Sequence, residues 1–313
     1  EGATLTINGG GTLDIAGGFG MENTAGDIVL DGSTLNVDGK FYNLTNLYIR
    51  NNGILNIGDS LVNSKYIENN TGTVSVTGNI GNYAATIKNI DGSMSATGYF
   101  FNTNGGSLFD NLNSTVTIGS SCYNEESNII NTNSTLSIGG AMTNYTGALV
   151  DNKNSTLNIA AHLNNAYGGT LTNDTGTVTI GTSVYSNNGG IVNNTSTGTI
   201  HVLGRFYNEI GATLTNAVGG TLDIDGRIYN NIGSTITSNG LLSCYSFNSL
   251  EGALLNIMSG STFNVDTSCN VDKTSGLLSF DGDVNVGGNF SNANRVTIGA
   301  NGDVYVGGRI NNL

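Results

Sequence analysis

The phrase Gly220-Thr221-Leu222-Asp223-Ile224-Asp225-Gly226-Arg227-Ile228-Tyr229-Asn230 governs what this chain can fold into, because it recurs from one end to the other. Two apolar residues alternate with polar ones, a glycine follows, and a second short segment ends on asparagine. That pattern reads as a strand, a bend and a second strand, with Leu222, Ile224 and Ile228 facing one interior. The phrase returns at 33–43, at 134–144 and at 302–312. Self-similarity at so short a period makes the chain a repeat array, and that overrides the two-domain expectation from its length of 313 residues.

The first inward residue of the central strand can be followed through fifteen copies, from Leu13 and Leu35 to Val284 and Val304, in steps of 19 to 22 residues and about 21 on average. A second inward position lies two residues on, from Ile15 to Val306. A third lies six residues on, including Phe19, Phe41, Leu61, Ile80, Phe100, Phe206, Ile228, Phe290 and Ile310. Another apolar strand precedes the central one by six to eight residues, with Leu5, Ile28, Leu47 and Ile67 as its first members. Three short strands in about 21 residues make one coil of a β-solenoid. A lone coil cannot hide its apolar face, and its backbone pairs only with the coils above and below. The expected fold is therefore all-β: a single parallel β-helix over 1–313, about 15 coils of about 21 residues, with three strands per coil and no separate caps.

Asparagine marks the corners. It stands eight residues after the first inward position in eleven of the fifteen coils, as at Asn43, Asn63, Asn102, Asn208 and Asn312. The expectation is that these residues supply left-handed bends and that their amides hydrogen-bond from coil to coil. The least regular coils lie between Leu241 and Thr274, where Leu250 and Val271 take the corner position.

The repeated phrase resembles the parallel β-helix repeats of prokaryotic surface and secreted proteins, such as haemagglutinin-like adhesins and autotransporter passengers, over essentially the whole chain. The resemblance implies export to the cell surface or beyond, with a structural or adhesive role and no catalytic residues to carry over. The uneven coil length departs from the six-residue rhythm of left-handed β-helices, so a right-handed solenoid is expected.

Composition excludes several partners. Ten Lys+Arg against 23 Asp+Glu give a net charge of −13, which argues against nucleic acid and anionic membranes. No apolar run approaches the roughly 18 residues of a membrane span. Forty-seven glycines, no proline and only 11% charged residues fit a turn-dense β protein better than a disordered one. Cys122, Cys244 and Cys269 fall at inward positions and read as small buried hydrophobes. A bridge between Cys244 and Cys269 stays open, and no metal-ligand spacing links the three.

An enzyme is not expected. His162 and His201 are the only histidines, both outward, and read as surface residues with no carboxylate or nucleophile beside them. No carboxylate pair falls on neighbouring coils in the outward column of the central strand, so acid–base catalysis lacks its reagents there. The calcium-binding nonapeptide is missing too, so neither a metal nor a cofactor is expected. Thr-x-Thr triplets such as Thr115-Val116-Thr117 are similar to those of ice-binding solenoids, yet the neighbouring column is too mixed for a lattice-matched array. Asn-x-Ser/Thr sequons at Asn43, Asn69, Asn113, Asn133, Asn144, Asn154, Asn173, Asn193, Asn194 and Asn289 permit N-glycans.

The remaining expectation concerns self-assembly. Placing Leu313 before Glu1 continues the repeat, since Val304 to Leu13 across that junction spans 22 residues, within the internal range. The expected partner is thus a second copy of the chain, joined head to tail by strand addition into an extracellular filament, sheath or coat. The alternative is a stalk segment of a large cell-surface adhesin. The expected interface comprises Gly2, Ala3, Thr4, Leu5, Thr6 and Ile7 at one end, and Val304, Val306, Arg309, Ile310, Asn311, Asn312 and Leu313 at the other.

Overall fold

A computed structural model describes residues 3–274 and 276–313. Among them there is no helix; every regular element is a strand of three to ten residues. Packing divides the chain into two compact units, residues 3–143 with 148–158, and residues 144–147 with 159–313. Each is a parallel β-solenoid, and together they hold fifteen turns.

In the first unit each turn has three walls. The first wall begins with Leu5–Asn8, Asp27–Asp31 and Asn46–Arg50. The central wall begins with Thr12–Ile15, Thr34–Val37 and Ile54–Ile57, and the third with Met21–Asn23, Phe41–Asn43 and Leu61–Asn63. Every strand pairs in parallel with its equivalent one turn on, as in Leu35↔Leu55 and Phe41↔Leu61. Because side chains alternate across a strand, this register stacks like on like. Leu35, Leu55, Phe41 and Leu61 are all 0% exposed, while the Asn36 and Asn56 that alternate with them stand outside.

The first turn departs from the expected spacing. Gly17 and Gly18 take positive φ (83° and 76°) and lengthen the bend, so Met21, not Phe19, faces inward and pairs with Phe41. Phe19 is 72% exposed. The lengthened bend also moves the corner asparagine to Asn23, ten residues beyond Leu13.

The second unit repeats the plan, with a first wall of Thr170–Asp174, Ile191–Thr195, Thr213–Asn216 and four further strands. In three successive turns, however, the central and third strands fuse into Thr221–Asn230, Leu241–Ser249 and Thr262–Val271. The linker is one residue shorter in the middle turn, where Phe247 follows Cys244 by three positions, and the register shifts on both sides of it. The strands pass the corner as bulged, continuous ribbons. The same shortening puts Ser249, not Leu250, at the asparagine corner, opposite Asn230 and Val271.

Glycine is required where successive backbones nest at the corner between central and third walls. A Cβ on Gly204 would lie 2.0 Å from the Thr182 carbonyl oxygen, and one on Gly139 would lie 2.4 Å from that of Gly119. Corner residues elsewhere take left-handed angles without being glycine: Asn113 (φ 51°), Thr71 (64°) and Ile232 (51°) among them. A β-branched residue pays for that conformation, so the wall strands on either side must be what holds it.

The core follows the inward columns. All three cysteines are free and buried, at 1%, 2% and 0% exposure. Cys244 pairs in register with Val265 and Cys269 with Phe247, so the two sit on different walls and the open bridge is not made. Burial pushes the Cys122 and Cys269 thiols up to about 12 and raises Cys244 as well.

Candidate functional site

Buried asparagines form ladders inside each unit. In the first, the Asn23 side-chain amide donates to Asn43 Oδ1 (2.9 Å), Asn43 to Asn63 (2.9 Å), Asn63 to Asn82 (2.8 Å), Asn82 to Asn102 (2.8 Å) and Asn102 to Asn124 (2.8 Å). In the second, Asn144 donates to Asn165 (2.8 Å) and Asn208 to Asn230 (2.9 Å). The amides also tie walls together: Asn43 Nδ2 reaches the carbonyls of Thr45 (3.0 Å) and Tyr66 (2.9 Å). Apart from Asn208 Oδ1, which is buried without a partner, this satisfies buried polar groups that would otherwise cost roughly 1–3 kcal/mol each. None of these asparagines takes a left-handed backbone angle; the bends fall on exposed neighbours, which corrects the expected role.

A second ladder, not foreseen from the sequence, closes the corner after the first wall. Asn69 donates to Asn89 (2.7 Å), Asn89 to Asn111 (2.9 Å) and Asn111 to Asn131 (2.8 Å). In the second unit Asn173 donates to Asn194 and Asn194 to Asn216, both at 2.9 Å. Its signal was present as an asparagine five or six residues ahead of the central strand's first inward position, masked by the abundance of asparagine. Both ladders run one way: each Nδ2 points to the later turn.

The turns at the chain ends hold the residues assigned to assembly. Gly2 lies outside the described residues. Ala3, Thr4 and Thr6 are exposed, Leu5 is 38% exposed and Ile7 is half-buried. At the other end Val304 and Val306 are half-buried, and Arg309, Asn311, Asn312 and Leu313 are exposed. Ile310 is 68% exposed, whereas Phe290, its register partner one turn inside, is 7% exposed. A cavity of about 250 Å³ opens there among Phe280, Phe290, Val296, Val304 and Ile310. Among the described residues each terminal strand is paired along one edge only: Leu5–Asn8 with Asp27–Asp31, and Ile310–Asn312 with Asn289–Asn292.

Two further groupings lie on outer faces of the second unit. On the third wall, Tyr185, Tyr207 and Tyr229 stack with centroids 5.0 and 4.9 Å apart and planes within 6°. His162 meets Tyr185 edge-on at 5.8 Å, and the Arg227 guanidinium lies over Tyr229 at 5.6 Å. The stack is thus capped at both ends, its ring faces occupied by neighbours. On the central wall, His201 and Asp223 are register partners, and Asp225 is the next outward residue. His201 Nε2 lies 3.1 Å from Asp225 Oδ1 and 3.8 Å from Asp223 Oδ2. This overturns the reading of His201 as a residue with no carboxylate beside it. The 22-residue step from His201 to Asp223, one turn, was the signal for it.

The sequons divide by burial. Asn43, Asn69, Asn144, Asn173 and Asn194 are ladder residues at 0% exposure, so a glycosyltransferase cannot reach them in the folded chain. Asn113, Asn133 and Asn154 are exposed and form a row, with Asn154 donating to Asn133 at 2.8 Å. Their Asn-Ser-Thr triplets have a structural reason. The asparagine takes the bend, and Ser114 and Ser134 turn inward, their hydroxyls donating to the Leu112 and Thr132 carbonyls at 2.7 Å. The threonine opens the next strand.

No protein-family model matches the sequence, and no curated protein matches it either. One solved structure that resembles it is the crystal structure of a TibC-catalyzed hyper-glycosylated TibA55-350 fragment, at 15% identity, covering 98% of this chain and 94% of that one, with a TM-score of 0.35. No described helix is long and apolar enough to cross a membrane. By its own strand pairing, this chain is a parallel β-solenoid.

Proposed function

We propose that the chain is a structural, non-catalytic subunit of an extracellular or cell-surface assembly, in which copies stack head to tail by adding strands to one another's end turns. The observation that carries this reading is the like-on-like parallel register, in which every turn is built to receive an equivalent turn against its strand edges. Core positions that are sealed in inner turns stand open at Leu5 and Ile310, beside strands paired along one edge. Unpaired strand edges with apolar flanks are templates for another chain.

The ladders support a direction. Within the ladder each Nδ2 donates to the later turn, as from Asn23 to Asn43 at 2.9 Å and from Asn292 to Asn312 at 3.5 Å. Only a head-to-tail join matches donor to acceptor, and a join of unlike surfaces that does not close gives a filament. Location outside the cell rests on the resemblance of the repeat to prokaryotic surface proteins.

The test is sedimentation and electron microscopy of the purified chain. Fibres that vanish in Thr4→Lys and Asn311→Lys, with far-UV circular dichroism unchanged, support the reading. Protein that stays monomeric at high concentration with both ends intact refutes it. The second reading, a stalk within a larger adhesin, draws on the same register, with the end turns covered there by further turns of one polypeptide. A native mass near 32.2 kDa speaks for the subunit, and a several-fold larger one for the stalk.

A further inference from the structure

We propose that His201, Asp223 and Asp225 form a binding site for a divalent transition cation of the zinc class, on the outer face of the central wall in the second unit. The fold itself sets the grouping. His201 lies on Thr199–Val202 and Asp223 on Thr221–Asn230, directly opposite one another in a parallel pair, so their side chains leave the same face one strand spacing apart. Asp225 follows Asp223 by two residues and points the same way. Its backbone belongs to the continuous strand Thr221–Asn230, whereas the preceding turn bends at Leu203 and Gly204. Both carboxylates therefore stand on one extended strand, in place before any ligand arrives.

The distances suit a small cation. One ligand atom from each of the three residues lies within 4.8 Å of the others. Bonds of about 2.0–2.2 Å from a tetrahedral ion place its ligand atoms roughly 3.3–3.6 Å apart. The separations of 3.1 and 3.8 Å from His201 Nε2 fall on either side of that range. Rotation of half-exposed side chains closes the remainder, since His201 is 34% exposed and the two aspartates 50% and 49%.

Charge points the same way. With a neutral imidazole the cluster carries two negative charges. Among the described residues neither aspartate pairs with a lysine or arginine. A dication neutralises both carboxylates, and the imidazole nitrogen selects a borderline metal over calcium or magnesium, which prefer all-oxygen sets. Thr179 and Ser243, the register partners on either side of His201 and Asp223, offer hydroxyls for waters that complete the coordination.

Equilibrium dialysis of the purified chain against zinc chloride tests the site. One zinc should be retained per chain, in the presence of a large excess of calcium. Removing a ligand by His201→Ala, or both carboxylates by Asp223→Asn with Asp225→Asn, should weaken retention by about a hundredfold or more. The control His162→Ala should leave it unchanged. X-ray absorption of the zinc-loaded chain should show a single imidazole with oxygen ligands. All four side chains stand at the surface, and circular dichroism checks each variant. Should His201→Ala fail to fold, the double aspartate variant decides alone. The proposal falls if the wild type retains no stoichiometric zinc, if the ligand variants hold it as tightly as the wild type, or if calcium displaces it.

Discussion

Replacing Asn63 by alanine separates what a buried amide ladder contributes from what any cross-turn hydrogen bond contributes. Asn63 is 0% exposed. Its Nδ2 donates to Asn82 Oδ1 at 2.8 Å and to the Thr86 carbonyl at 3.0 Å, and its Oδ1 accepts from Asn43 at 2.9 Å. Asn43 keeps the carbonyls of Thr45 and Tyr66, so its own loss is small. The cost falls on Asn82 Oδ1, left buried without this donor at roughly 1–3 kcal/mol, and on the bond to Thr86, worth about 1 kcal/mol net. The sum is roughly 2–4 kcal/mol, before any contribution from the cavity. Asn56 is the internal control. It makes the same kind of bond, Nδ2 to Asn36 Oδ1 at 2.8 Å, but on the outer face, where water replaces the lost partner. Asn56→Ala should therefore change stability by less than about 0.5 kcal/mol. Urea unfolding followed by far-UV circular dichroism measures both, with a check that different probes coincide, since repeat arrays need not unfold in two states. Equal losses at Asn56 and Asn63 would refute the argument that burial, rather than the bond itself, sets the cost.

Three other outcomes are expected. The buried thiols make stability fall as pH rises. Well below pH 9, the ordinary thiol value, they are protonated folded and unfolded alike; as pH rises through it the unfolded chain ionises while Cys122 and Cys269 hold their protons to about 12, at a loss of up to about 1.4 kcal/mol per pH unit for each. Cys122→Ala should flatten the decline in urea midpoint between pH 8 and 10, and an unchanged slope would contradict burial as the cause. In a glycosylating host, peptide mapping should find sugar at none of Asn43, Asn69, Asn144, Asn173 and Asn194, and modification of any of them in folded protein would place that ladder wrongly. Deleting residues 75–94, one whole turn of the first unit, should leave a folded chain by circular dichroism, while deleting ten residues there should put strands against corners and unfold the unit; equal damage from both would count against modular turns.

Much of the fold was legible because a parallel stack repeats one local pattern. An alternation such as Leu35-Asn36-Val37 fixes which side chains face inward, and a period of about 21 residues fixes what each strand pairs with. A column of like residues is then both the sequence signal and the packing arrangement. Phe19 escaped this logic because a column is a statement about spacing, and two glycines altered the spacing. The fusion of Leu241–Ser249 escaped it too: one missing residue between Cys244 and Phe247 is trivial in a sequence, but it removes a bend and shifts register on both neighbouring strands.

What the sequence by itself determined was the set of inward columns and the asparagine at the corner, since burial and period are local properties repeated many times over. Only the tertiary structure decided which asparagines bend at the surface and which are buried in the ladders. The amides of Asn43 and Asn69 are buried because neighbouring turns close over them, whereas Asn113 takes the left-handed angle at the surface. It decided as well that His201, Asp223 and Asp225 meet. Residues 22 and 24 positions apart share a site only because the turn between them returns the chain one strand spacing away, a distance that no linear reading of two outward residues contains.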